Sequence, residues 1–333
     1  VNSDSKIPLA RPVIGSLVER HLGLLVNDMA DLTDGMYNAA YRLSLSDGSQ
    51  VVLKVAPPDD APRLCYEHGL MRSEVSFYRH ARGRAPVPAV LASDFSRQVA
   101  DRDIVILSFL DGGPLNRVSD SLTSAGRVAV RSQLGEAAAQ LHAVKGSSFG
   151  YERPADGLVL SGSSWGEAFQ RMWDAAVSDI DHYRVRIDIS TVDLRAVIRG
   201  HLGLLNEVDE PALVHFDLWD GNVFACADGH TARLSGIIDG ERMFWGDPLA
   251  DFVSTSLFRD PAGDSDFNAG YARAGGTRWE FNEQQRTRLA LYTVYLCMLM
   301  LAEAVPRGYS GPTVDADQRF VADRLHESLR LLR

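Results

Sequence analysis

Cysteine is scarce. Only Cys65, Cys226 and Cys297 occur in 333 residues. An odd number of distant thiols argues against a disulfide framework and against a cysteine metal site. They read as buried thiols of a reducing compartment, so a cytoplasmic location is expected. Long apolar runs are also missing. The longest strongly apolar segment, residues 289–304, is broken by Tyr292, Thr293, Tyr295 and Glu303 and falls short of the roughly 20 residues that cross a bilayer. No charged segment followed by an apolar one opens the chain, so neither a signal peptide nor a membrane partner is expected. Positive charge is in the minority. The formal net charge of −10 argues against a nucleic-acid partner. Internal repeats and low-complexity tracts are absent as well.

What remains is an ordinary globular composition, 45% apolar and 23% charged, long enough for two lobes with a core each. Residues 1–8 are polar and expected to be loose. Helical spacing runs over residues 13–25, and residues 31–38 are turn-like. Residues 40–45 and 50–55 alternate as two strands around Asp47-Gly48, a β-hairpin. Residues 63–82 have an apolar face at helical period. Residues 89–92 and 104–107 add two short strands. The Gly/Pro-rich stretch 108–115 then divides a lobe at 1–107 from a helical lobe at 116–333. Helices are expected over 122–144, 163–189, 194–208, 248–259, 283–305 and 314–332. The class is α+β, a small β-rich lobe followed by a larger helical lobe with an embedded β-hairpin.

That hairpin organises the chemistry. An apolar strand at residues 212–214 enters a polar loop with Asp217 and, five positions on, Asn222. Two apolar runs follow around Asp228-Gly229, and the second ends on Asp239. Asp-Gly between apolar runs signals a hairpin, so Asn222 and Asp239 share its open end, with Asp217 one loop away. Two carboxylates and an amide suit magnesium, which takes hard oxygen ligands and is shared with substrate phosphates. Lys54 lies on a central-looking strand. Glu67 and Glu74 both fall on the buried-looking sector of the following helix, where a carboxylate needs a cation; periodicity alone does not choose between them. Phosphoryl transfer needs such a set: a lysine for the nucleotide phosphates, metal ligands at Asn222 and Asp239, and Asp217 to accept or orient a hydroxyl proton. The backbone of residues 108–110 is placed to meet a nucleobase edge.

In these motifs the chain resembles the aminoglycoside phosphotransferase and choline kinase superfamily, small-molecule relatives of protein kinases that include fructosamine-kinase-like members. The likeness runs from about Leu32 to about Asp251. The family loop His-Gly-Asp-x-x-x-x-Asn corresponds to His215-Phe216-Asp217 through Asn222. Ile237-Ile238-Asp239 and Gly246-Asp247-Pro248-Leu249-Ala250-Asp251 follow as they do there. The resemblance implies a two-lobed protein-kinase-like fold and a Mg2+-dependent kinase using ATP or GTP. It selects Glu74 as the partner of Lys54, because the family places it shortly before the Val87-Pro88 pair. It also implies nucleobase contacts from the Ser108 carbonyl and the Leu110 amide, and a phosphate-covering loop at Gly35 to Asn38. No Gly-x-Gly-x-x-Gly is present, and Phe216 replaces the family glycine, so a stiffer loop is expected there.

The acceptor is expected to be a hydroxylated small molecule. An antibiotic is the leading reading, and a metabolite such as an amino sugar, fructosamine or choline-like alcohol is the alternative. A nucleotide-binding protein without turnover would require a lost base or metal ligand, and none is lost. Candidate acceptor contacts are Trp219, Asp220 and Glu241 near the metal end, Trp173 on an otherwise core-like aromatic stripe, and Tyr295 and Glu303 on the long C-terminal helix. His215 is expected to bond backbone and not to act as an acid or base. Asp247 and Asp251 are expected to cap, and His142 to be a helix-end residue satisfied by backbone.

Overall fold

A computed structural model describes residues 3–155 and 158–333. After α1 (Arg11–Leu22), five antiparallel strands follow: β1 (Val26–Leu32), β2 (Ala39–Leu45), β3 (Gln50–Val55) and, beyond α2 (Leu70–Ala81), β4 (Val90–Asp94) and β5 (Ile104–Ser108). Their order is β1-β2-β3-β5-β4. Strand period sorts the sheet's two faces. Leu53 and Val55 of β3, with Ile104 and Ile106 of β5, pack against Ile14, Leu17 and Val18 of α1. Val105 and Leu107, with Val52 at the margin, point the other way, into the cluster that contains Leu70, Val75, Phe77 and Tyr78 of α2. Lys54 shares that second face.

The chain leaves β5 through a crossing and forms β6 (Gly113–Pro114), α3 (Leu115–Val118), α4 (Ser124–His142), β7 (Phe149–Ala155), β8 (Leu158–Gly162), α5 (Trp165–His182), α6 (Thr191–Gly200) and α7 (Leu202–Leu205). Then come β9 (Ala212–Val214), β10 (Val223–Asp228), β11 (Thr231–Ile237), β12 (Phe244–Gly246), α8 (Asp251–Ser256), α9 (Ser265–Arg273), α10 (Glu283–Glu303) and α11 (Val314–Arg330). The hairpin β10–β11 pairs from Val223↔Ile237 to Asp228↔Thr231, and β6 adds to its free edge. A four-stranded sheet, β8-β7-β12-β9, underlies the loop between β9 and β10. No helix of the described residues is long and apolar enough to cross a membrane.

Several sequence expectations needed correction. The first helix stops at Leu22, and residues 26–32 are a strand. The helix expected over 63–82 is a 3-10 turn at Cys65–Glu67, then Gly69 in the left-handed region (φ 69°), then α2. A left-handed residue cannot lie inside a helix, so Glu67 and Glu74 do not share a helical face. The segment expected over 194–208 is two helices, and β7, β8, β12 and α9 carried no recognised signal. Of the N-terminal residues, 1 and 2 lie outside the described residues. Ser5 is not loose: it is buried, and its Oγ meets the carbonyls of Met36 (3.1 Å) and Tyr37 (3.2 Å).

Candidate active site

Lys54 is 7% exposed and Glu74 fully buried. Nζ donates to both Glu74 oxygens at 2.7 Å and to Asp239 Oδ1 at 2.6 Å. Burial acts against the ammonium, but Asp239, Glu74 and Glu241 outweigh it, and the lysine pKa moves up. Burial likewise pushes the Glu74 carboxyl up, Lys54 opposing and Asp239 reinforcing. All three ammonium protons have carboxylate acceptors, so the lysine is held in its charged form. Tyr78 donates from its hydroxyl to Glu74 (2.7 Å) and accepts from the Asp239 N–H (3.1 Å), joining α2 to the end of the hairpin. Gly240 permits that approach: a Cβ there would sit 2.2 Å from the Phe77 ring.

At the other side of the hairpin's open end, Asn222 Nδ2 donates to the Asp217 carbonyl and to Asp217 Oδ2, both at 2.9 Å. Its amide oxygen is therefore the end available to a metal. Ile238 N–H bonds the Asn222 carbonyl (3.0 Å), fixing Asp239 beside it. Asp239 itself is left-handed (φ 59°), and its side chain is 32% exposed. Burial raises the Asp217 carboxyl pKa, Arg242 and His215 opposing. Arg242 Nη1 lies 4.0 Å from Asp217 Oδ1, while its Nη2 donates to Glu303 at 2.9 Å. Hard oxygens from Asp239 and Asn222 fit magnesium, and among the described residues no cluster of three His, Cys, Asp or Glu side chains offers a self-contained metal cage.

The loop is held from behind. Asp251 is buried and accepts from the backbone N–H groups of His215 (3.1 Å) and Phe216 (2.6 Å) and from His142 Nε2 (2.8 Å). His142 receives the Tyr271 hydroxyl on Nδ1, so its partners are side chains and not the backbone expected for a helix end. His215 accepts the Asp217 N–H on Nδ1 (3.1 Å) and donates from Nε2 to the Ile238 carbonyl (2.9 Å). It links loop to hairpin and leaves no nitrogen for acid–base work. Asp247 caps, accepting from Leu249 N–H, Tyr292 and Arg288. Phe216 is left-handed (φ 62°), a conformation that costs a non-glycine residue about 1–2 kcal/mol. Its fully buried ring, against Phe244 and Tyr295, offsets that strain.

Truncating Asp251 to alanine is expected to destabilise the fold by about 3–5 kcal/mol, because three buried donors lose their acceptor. Chemical denaturation measures it; a loss under about 1 kcal/mol would show that the loop is held by other means.

The remaining candidates divide. Asn38 Nδ2 donates to Glu241 Oε2 at 2.8 Å, and its buried Oδ1 has no hydrogen-bond partner. Burial pushes the Glu241 carboxyl up to about 7, with Lys54 opposing and Glu74 and Asp239 reinforcing. Gly35 is exposed, with open space about it. Ser108 closes β5, its N–H and Oγ both tied to Ala89 (2.9 Å each), and Leu110 rests on Gly236 of β11. Trp219 folds over Gly221. Asp220 binds Arg131 (3.2 Å), which also grips Asp264 and the Thr255 carbonyl, so it anchors the loop. Tyr295 is buried beside Phe216, its hydroxyl 3.2 Å from that of Tyr151. Glu303 is buried between Arg242 and Arg307, and Arg242 links it to Asp217. Trp173 is a correction: it is fully buried, packs on Phe169 and donates to the Leu194 carbonyl (3.0 Å), so the core reading of that stripe wins. Sequence reasoning missed Arg242, whose signal is its place three residues after Asp239, and Arg307, which has none.

A family model described as the phosphotransferase enzyme family matches residues 28–292. No curated protein matches the chain in sequence. Among solved structures, a candidate fructosamine-3-kinase from Thermobifida fusca is similar with a TM-score of 0.66 at 20% identity, covering 95% of this chain and 98% of its own. The macrolide 2'-phosphotransferase MphH from Brachybacterium faecium gives 0.57 at 17% identity, covering 94% and 97%. The aminoglycoside phosphotransferase APH(2'')-Ib with ADP bound gives 0.59 at 17% identity, covering 96% and 99%. At these identities the likeness is one of fold and leaves the acceptor open.

Proposed function

Because the chain belongs to the phosphotransferase enzyme family, we propose that it transfers the γ-phosphoryl group of ATP or GTP to a hydroxyl of a small molecule, with magnesium. The observation that carries this reading is the convergence of Lys54–Glu74 with Asp217, Asn222 and Asp239 at one end of a hairpin. Lys54 would hold nucleotide phosphates, with Glu74 fixing its direction. Asp239 and Asn222 would hold the magnesium, which neutralises phosphate charge when bound. Asp217 would accept or orient the proton of the acceptor hydroxyl, with Arg242 facing its carboxylate at 4.0 Å. Residues 1–107 form the nucleotide-binding lobe in this reading, 108–115 the hinge with its Ser108 and Leu110 contacts, and 116–333 the lobe that takes the acceptor.

An antibiotic is the acceptor class we favour, and family members acting on aminoglycosides and macrolides support it. The similarity to a candidate fructosamine kinase supports the metabolite alternative. Expression in a sensitive host separates them. An antibiotic kinase raises the inhibitory concentration of its substrate several-fold, and does so only with Asp217 intact. Unchanged inhibitory concentrations across aminoglycosides and macrolides, alongside turnover of amino sugars or ketosamines in a coupled assay, would decide for the metabolite.

A further inference from the structure

Arg307 lies past residue 292, where the family match ends, and is 3% exposed. Its guanidinium is fixed around its edge. Nε donates to Glu67 at 3.1 Å, Nη2 to the same Glu67 oxygen and to Glu303 at 3.0 Å, and Nη1 to the Tyr309 hydroxyl at 2.8 Å. Glu67 and Glu303 answer Arg307 and Arg242, and Arg242 also faces Asp217 at 4.0 Å, so each guanidinium of the buried cluster is shared between two carboxylates. With its edge occupied, the cation has its flat face left, and on that face lies the Tyr37 ring, 4.7 Å from the guanidinium carbon.

Tyr37 lies in the loop 33–38 between β1 and β2, which in the phosphotransferase reading covers the nucleotide phosphates. The loop tip, residues 33–36, is exposed, whereas Tyr37 and Asn38 are buried. The N-terminal segment ties the same two places together. Asp4 N–H bonds the Arg307 carbonyl (2.8 Å), Ser5 Oγ meets the carbonyls of Met36 and Tyr37, and Lys6 Nζ donates to the Thr33 carbonyl (2.9 Å). A loop seated by a ring on a cation makes a contact strong enough to bias closure and weak enough to release.

Resting on the phosphotransferase reading, we propose that Arg307 is a positioning residue for nucleotide: it is the fixed seat onto which Tyr37 closes the phosphate-covering loop, and it sets how long the nucleotide stays. Arg307 touches no reacting atom. It acts through Tyr37, so its loss is read in nucleotide dissociation and not in the chemical step.

The test is stopped-flow dissociation of fluorescent mant-ADP and mant-GDP, with magnesium, from the full chain. Tyr37→Leu and Arg307→Met are expected to release nucleotide about 3- to 30-fold faster than wild type. Tyr37→Phe, which keeps the ring, is the conservative rescue, expected within about twofold of wild type. Arg307→Met strands the buried Glu67, whereas Glu303 keeps Arg242, so Tyr37→Leu, which leaves the ion cluster intact, carries the test if that variant does not fold. Folded variants that release nucleotide at the wild-type rate would overturn the inference alone. Wild type that binds neither nucleotide would overturn the phosphotransferase reading and the inference with it.

Discussion

Lys54→Met is expected to lose both stability and turnover. The methionine fills a similar volume but leaves Glu74 buried with one neutral partner, the Tyr78 hydroxyl. Removing one member of a buried ion pair costs about 3–5 kcal/mol, a large share of a domain's stability of roughly 5–15 kcal/mol. The double variant Lys54→Met with Glu74→Gln removes the stranded charge and is expected to recover most of the stability. It is not expected to recover activity, since no cation remains for the phosphates. Denaturant midpoints for the two variants, read beside nucleotide affinity, separate the structural role of the pair from its functional one. Wild-type stability in the single variant would mean that Lys54 and Glu74 are not paired as described.

Asp217→Ala is expected to lower turnover by about 10²-fold or more, the range for losing a positioned general base. Nucleotide affinity should stay within about twofold, because in the proposed reading Asp217 would meet the acceptor and not the donor. The fold should survive: Asp217 side-chain atoms accept only from Asn222 Nδ2, and that amide keeps the Asp217 carbonyl as a second acceptor at 2.9 Å. A fall in affinity equal to the fall in turnover would assign Asp217 to the donor side instead.

Much of this site is legible in the chain because local rules place it. Strand alternation puts Lys54 on the face opposite Leu53 and Val55. The Asp-Gly turn puts Asn222 and Asp239 at the same end of one hairpin, since Val223 pairs with Ile237. At Phe216 the chain points only to a stiffer loop than the family glycine would give, and the left-handed φ of 62° is read from the structure. What periodicity misreads are the partners of buried charges, which are set by tertiary packing. Glu67 looked equivalent to Glu74 on one helical face. It lies before the break at Gly69 and pairs with Arg307, 240 residues away. His142 finds Asp251 across 109 residues. Trp173 shows the same limit: helical spacing says that its face is apolar, and only the packed structure shows it buried against Phe169 and bonded to the Leu194 carbonyl.

The most direct measurement of the central claim is transfer of label. The purified chain is incubated with magnesium and γ-32P-labelled ATP or GTP across a panel of hydroxylated antibiotics, amino sugars and amino alcohols, and products are resolved for radiolabelled phosphoester. The expected result is label in at least one acceptor, abolished by chelation of magnesium and reduced about 10²-fold in Asp217→Ala. Nucleotide that binds with magnesium but is neither transferred nor slowly hydrolysed would contradict it, and so would transfer that proceeds equally well without Asp217.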